Sequence, residues 1–268
     1  MSYITKKRFF YINSANRVSG TDSNFIYNLN YPHDEDYNRA VILQASIPIS
    51  YYTVESGYNS FTLQEGTSSV LISIPAGNYN QVSLQTVLQT QLNTLSPNHY
   101  VYAISFPNTQ KQAQTGLYTF TVSGNGTTQP QFIFTTNLYQ QLGFNENSTN
   151  SFTNNSLIST NVIKLIGEDA LFIHSDLVAN GDDNIIQEIY VNGNPTYSVV
   201  QFQTPDIQGY AKLITTINSV YNFYLTDEFN NPIELNGQNC NFTLLLYKES
   251  PIFHMIIDYI KLLLYSQK

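Results

Sequence analysis

The stretch RFFYINSANRVSGTDSNFIYNLN, residues 8–30, decides the fold class. Its ends, residues 8–13 and 24–30, are short runs rich in aromatic and β-branched side chains, the composition of strands. Between them, Asn16, Gly20, Asp22 and Asn24 crowd turn-forming chemistry around a single cation, Arg17. The segment lacks the glycine spacing of a phosphate-cradling loop, so it reads as strand, turn, strand. Positive φ is expected at Asn16 and Gly20. Two roles are open for Arg17: it pairs with a carboxylate or carbonyl and fixes its own turn, or it meets a neighbouring subunit.

The same pattern recurs along the 268 residues. Strand-type runs separated by turn chemistry lie at residues 39–52, 59–63, 70–74, 100–106, 117–122 and 132–135, then at 161–166, 170–174, 185–191, 197–203, 221–226 and 241–248. Many short strands at this spacing predict an all-β protein, a sandwich or jelly roll. Composition agrees, with 21 Tyr, 16 Phe and only 11% charged residues.

Two helices interrupt the strands. Residues 80–95 carry Val82, Leu84, Val87, Leu88, Leu92 and Leu95 on roughly one stripe, with Asn80 or Ser83 as N-cap and Ser96-Pro97 closing the segment. The second is expected to begin at Ser250-Pro251 and to be apolar almost all round, through Phe253, Ile256, Ile257, Ile260, Leu263 and Leu264. Too short to span a bilayer, it packs either on its own domain or on a neighbouring subunit or an underlying protein or lipid layer. The stretch NENSTNSFTNNS, residues 145–156, reads as a long surface loop or an internal boundary. The expected organisation is therefore a discontinuous jelly roll over 1–56 and 159–249, a β-rich inserted module with one helix over 57–158, and the C-terminal helix over 250–268.

Charge is unevenly distributed. The first 17 residues hold Lys6, Lys7, Arg8 and Arg17 and no acid, leaving seven basic against nineteen acidic side chains in the rest of the chain. An acidic body argues against general nucleic-acid binding, and the basic arm reads as a solvated terminus or as a segment reaching an anionic neighbour. No apolar leader or membrane-length run is present, and the lone Cys240 fits a reducing compartment, so synthesis in the cytoplasm is expected.

Motifs for chemistry are absent from the sequence: no P-loop, dinucleotide fingerprint, nucleophile elbow or zinc-protease helix occurs. His33, His99, His174 and His254 are scattered, and the acids of 34–36, 168–169, 182–183 and 227–228 have no calcium-loop spacing. Neither an enzymatic activity, a cofactor nor a metal is expected.

The order of segments carries a likeness. FYINS at 10–14 with Arg17, GT at 20–21, SNF at 23–25, VILQASIPISYY at 41–52 with Asn59 and Phe61, IPAGNY at 74–79 and the helix after it, LGF at 142–144, and LTDEFNNPIELNG at 225–237 follow one another in one register. This ordered set, over residues 8–247, resembles the penton and minor capsid proteins of virophages, polinton-type elements and related large double-stranded DNA viruses. The C-terminal helix and the length of the Asn/Ser/Thr stretch stand outside that pattern. The resemblance implies a single jelly roll, a homopentamer at the five-fold vertices of an icosahedral virion, and contacts with the major capsid protein, with the C-terminal helix free to reach other minor capsid proteins or an inner layer. A minor capsid or cement protein at other positions, or a lectin-like glycan-binding jelly roll, are the competing readings.

Overall fold

The computed structural model describes all residues except 1, 31–35, 107–114, 136–137, 166, 179–183, 192, 215–217, 252–255, 258, 262–263 and 265–268. In chain order the strands are β1 (Ser2–Asn13), β2 (Ser19–Gly20), β3 (Asn24–Asn28), β4 (Arg39–Pro48), β5 (Ser60–Glu65), β6 (Ser68–Ser73), β7 (Val101–Ser105), β8 (Thr119–Ser123), β9 (Gln131–Ile133), β10 (Thr149–Ser151), β11 (Ser156–Ile158), β12 (Ala170–Ser175), β13 (Ile185–Tyr190), β14 (Val199–Gln203), β15 (Lys212–Leu213), β16 (Val220–Thr226) and β17 (Asn241–Pro251). Helices α1 (Gln81–Leu95) and α2 (Leu138–Leu142) accompany them, and the described residues between 256 and 264 are helical. The chain forms two compact units, one from Met1–Tyr51 with Glu168–Lys268 and one from Tyr52–Gly167.

The first unit is a jelly roll. One sheet has the order β1-β17-β4-β14, with the short β15 also on β4, and the other has the order β13-β12-β16-β3-β2. Setting aside the two-residue strands, the first strand of the chain pairs with the last, and the second with the next to last, which is the Greek-key winding of this fold. All these pairings are antiparallel. The inward faces interdigitate Ile12, Ile42, Ala45, Ile47, Phe242, Leu244 and Leu246 with Phe25, Leu171, Ile173, Ile186, Tyr221 and Phe223. Ile42 and Ala45 both point inward although three residues apart, because the register shift opposite Thr243/Leu244 absorbs one residue of β4. On the opposite face of that sheet Val41, Leu245 and Tyr247 form a small buried cluster beside Leu43 and Ala211.

The second unit holds the sheets β10-β9-β5-β6 and β11-β8-β7. Its core is aromatic: Phe61 lies 5.0 Å from Phe132 and 5.2 Å from Phe134, and Phe120 lies 5.1 Å from Phe132. Helix α1 covers this core with Leu84, Leu88 and Leu92. Asn80 is its N-cap, accepting from the Val82 and Ser83 amides while the Ser83 hydroxyl accepts from the Asn80 amide. The buried stripe is narrower than the sequence suggested, since Val82 and Leu95 are exposed.

Four expectations change. Residues 161–165 are not a strand: the amides of Asn161, Ile163 and Lys164 donate to Gly143, Gly116 and Gln140, bonds scattered over two segments instead of one ladder. The stretch 145–156 is not a plain loop, because β10 and the start of β11 lie in it, joined by a tight turn with Asn154 and Asn155 at φ 52° and 61°. Asparagine tolerates the left-handed region, so the composition that suggested a loop builds a two-residue turn closed by the Thr153–Ser156 bridge, which passes the chain from one sheet to the other. Ser250 and Pro251 do not begin a helix; they pair with Tyr3 and Ser2 and end β17. Lys6, Lys7 and Arg8 are not a free arm, being paired in β1 with Lys248, Tyr247 and Leu246.

Candidate interaction surfaces

The turn after β1 is built from its capping residues upward. The Asn13 side chain accepts from the Ala15 amide at 2.9 Å and caps a single 3-10 turn, Ser14–Asn16. Buried Ser14 donates its amide to Cys240 O at 3.0 Å, and its hydroxyl lies 3.1 Å from both the Cys240 amide and Asn239 Oδ1. Arg17 then donates from Nε to Gly20 O at 3.0 Å and from Nη1 to Ser14 O at 2.8 Å. One guanidinium thus clamps carbonyls on both sides of itself. Gly20 takes φ 99°, and a Cβ there would lie 2.3 Å from Asn24 O. Asn16 does not take the expected positive φ, since it closes the 3-10 turn. Asp22 accepts from the Gly237 amide at 2.6 Å. The hollow of about 480 Å³ between these segments is lined by Ala15, Arg17, Gly20, Thr21, Asp22, Gly237 and Asn239. One cation beside one carboxylate, with backbone and amides around them, offers no nucleophile and base pair.

A second hollow, about 430 Å³, crosses the outer face of the first sheet, where Gln44, Ser46, Gln201, Gln203, Asn241 and Thr243 present uncharged amides and hydroxyls. His174, Asp227 and Cys240 are used internally. His174 is buried, its Nε2 2.8 Å from Thr226 Oγ1 and its ring stacked 4.5 Å from Tyr224. Asp227 holds its own turn, accepting from the Phe229 and Asn231 amides at 2.8 and 2.7 Å. Burial pushes the Cys240 thiol up to about 11, against the smaller opposing effect of the Ser14 hydroxyl. Among the described residues no three His, Cys, Asp or Glu side chains gather as metal ligands. His33, His254, Asp34, Glu35, Asp182 and Asp183 lie outside the described residues.

Of the C-terminal candidates, Ile256, Ile260 and Leu264 are exposed at spacings of four in helical backbone, Tyr259 is exposed beside them, and Ile257 is half-buried. Phe253 and Leu263 lie outside the described residues. No helix among the described residues is long and apolar enough to cross a membrane.

One polar centre is absent from the sequence reading. Glu65, fully buried in the second unit, accepts from Ser96 Oγ and Tyr102 OH at 2.7 Å on Oε1 and from the Asn98 amide at 2.8 Å on Oε2. Burial and this carboxylate together raise the pKa of Tyr102. The signal was present: in β5, Phe61 and Leu63 point inward, so period two places Glu65 on the same face.

No protein-family model matches the chain, and no curated protein sequence matches it. Among solved structures, the crystal structure of the mavirus penton protein matches with a TM-score of 0.50 and 12% identity, over 91% of this chain and 99% of that one. At this identity the likeness is one of fold, and it covers nearly the whole of both chains.

Proposed function

We propose that the chain is a structural virion protein, a penton that closes into a ring of five at the vertices of an icosahedral capsid. The observation that carries this reading is the fold match, which spans almost the whole of both chains. The ordered segments from FYINS to LTDEFNNPIELNG support it independently. On this reading the unit Tyr52–Gly167 is an insertion between β4 and β12 of the jelly roll. The partners are further copies of the chain and the surrounding major capsid protein. The apolar helical residues Ile256, Ile260 and Leu264 meet another capsid component or an inner layer. No catalytic role is assigned.

Particle reconstruction tests the reading: five copies around every five-fold axis are expected, whereas copies confined to other positions would make the chain a minor capsid or cement protein instead. Ending the chain at Pro251 tests the helix separately. That variant is expected to fold and ring normally but to be lost from particles. The amide-lined hollow of Gln44, Gln201, Gln203 and Asn241 favours a second reading, binding of a neutral glycan. A glycan array with no signal above background for folded protein would remove it.

A further inference from the structure

A closed ring with one kind of subunit uses a heterologous contact, in which two different patches on one protomer meet their complements on its two neighbours. The jelly roll has two lateral flanks. β1 and β14 are opposite edges of the four-strand path, so at about 4.8 Å per strand they stand roughly 14 Å apart. The Tyr27 hydroxyl donates to Tyr11 O, which sets β3 beside β1, while β13 packs against β4 on the β14 side.

These flanks have opposite chemistry. β1 carries Lys6, Lys7 and Arg8 with no acid, and Phe9 and Tyr11 stand exposed on it, Tyr11 at 79%. The Lys7 ammonium lies 5.8 Å from the Phe9 ring centroid, so cation and aromatic surface form one patch. By contrast, the described residues of 168–211, which contain β12, β13 and β14, hold five acidic side chains and neither Lys nor Arg. On that flank Glu188 is half-exposed and Asp169 exposed, with Tyr190 at 60% and Tyr197 at 73%. Tyr197 sits at φ 64°, a left-handed conformation that is unfavourable for a bulky side chain, and its amide donates to Ile49 O at 2.8 Å. The fold thus sustains strain while leaving that ring outside its own core.

We infer that the ring contact seats the basic, aromatic β1 edge of one protomer against the acidic, tyrosine-bearing flank of β13 and β14 on the next. This rests on the ring reading given above and adds the two surfaces that make it. Charge sets the direction of the contact: β1 edges repel one another, as do β13 flanks, so only the head-to-tail arrangement is attractive.

The test uses the full-length chain, with native mass spectrometry and sedimentation at low and high salt. Wild type is expected to form rings that loosen as salt screens the contact. Lys6→Glu with Lys7→Glu is expected to weaken assembly at least about tenfold, and adding Asp169→Lys and Glu188→Lys to restore it, with melting curves confirming that each variant is folded. Rings formed equally well by the Lys6→Glu/Lys7→Glu variant, or no rescue by the second pair, would overturn the flank pairing while leaving the ring intact. A wild type that forms no ring, alone or in particles, overturns both readings.

Discussion

Replacing Glu65 in the second unit isolates one buried charge with three donors. In Glu65→Ala the Ser96 and Tyr102 hydroxyls and the Asn98 amide lose their acceptor, and the cavity excludes water at a site only 1% exposed. Each stranded buried donor costs about 1–3 kcal/mol, with the lower end applying to hydroxyls that rotate toward new partners, so a total of about 3–5 kcal/mol is expected. Glu65→Gln is milder. Its carbonyl still accepts from both hydroxyls, but its amide then faces the Asn98 N–H donor to donor, a loss of about 1–2 kcal/mol. For a unit of roughly 120 residues the unfolding entropy near the midpoint is about 0.25 kcal/mol/K, so the alanine variant melts about 12–20 °C lower if Tyr52–Gly167 unfolds as its own transition. The chain has no Trp, so tyrosine fluorescence and near-ultraviolet circular dichroism are the probes. An alanine variant within about 1 kcal/mol of wild type would refute the account of Glu65 as the anchor of the α1–β7 connection.

Three further outcomes follow from the jelly-roll unit. Arg17→Ala removes two bonds to carbonyls at a half-exposed site and is expected to lower stability by about 1–2 kcal/mol in urea denaturation, with Arg17→Lys recovering little because one ammonium cannot span Ser14 O and Gly20 O; equality with wild type would exclude the clamp. Gly20→Ala puts a Cβ 2.3 Å from Asn24 O at φ 99° and is expected to cost at least about 2 kcal/mol, read in the same assay, and a neutral result would show that the turn relaxes freely. Cys240, raised from 9.0 to about 11, holds its proton more tightly folded than unfolded, so its stabilisation is complete below pH 9 and fades as pH rises through 11. Wild type should therefore lose about 2–3 kcal/mol more than Cys240→Ala between pH 8 and 11, and parallel pH profiles would contradict the burial of the thiol.

What the sequence disclosed depended on how local the cause was. β4 and β17 were legible because Val41, Ile42, Ile47 and Leu244 to Tyr247 declare buried strands by themselves. The cap at Asn80 was legible because its partners lie two and three residues away. Ser250-Pro251 misled because its partners, Tyr3 and Ser2, lie at the other end of the chain, and a helix start signal cannot register them. Asn154 and Asn155 misled for the opposite reason: asparagine marks loops and left-handed turns alike, and only pairing with β8 and β9 separates the two. The Arg17 turn was recognised, but its acceptors are backbone carbonyls, which no side-chain pattern reveals. Neither flank is a motif. The basic one was visible as charge, and its relation to the acidic one required the strand order.

The position of β17 between β1 and β4 also sets a timetable for synthesis. A ribosome releases β1 and β4 early, yet β17, the strand that joins them, follows more than 200 residues behind its first partner. Until then both early strands carry open edges, the condition under which nascent chains pair with the wrong neighbour. The unit Tyr52–Gly167 is contiguous, and among the described residues its strands pair only within it, so it can mature before β17 is made. A chain released before Asn241 would have a finished second unit and an unclosed first one, so the jelly roll closes only when β17 arrives.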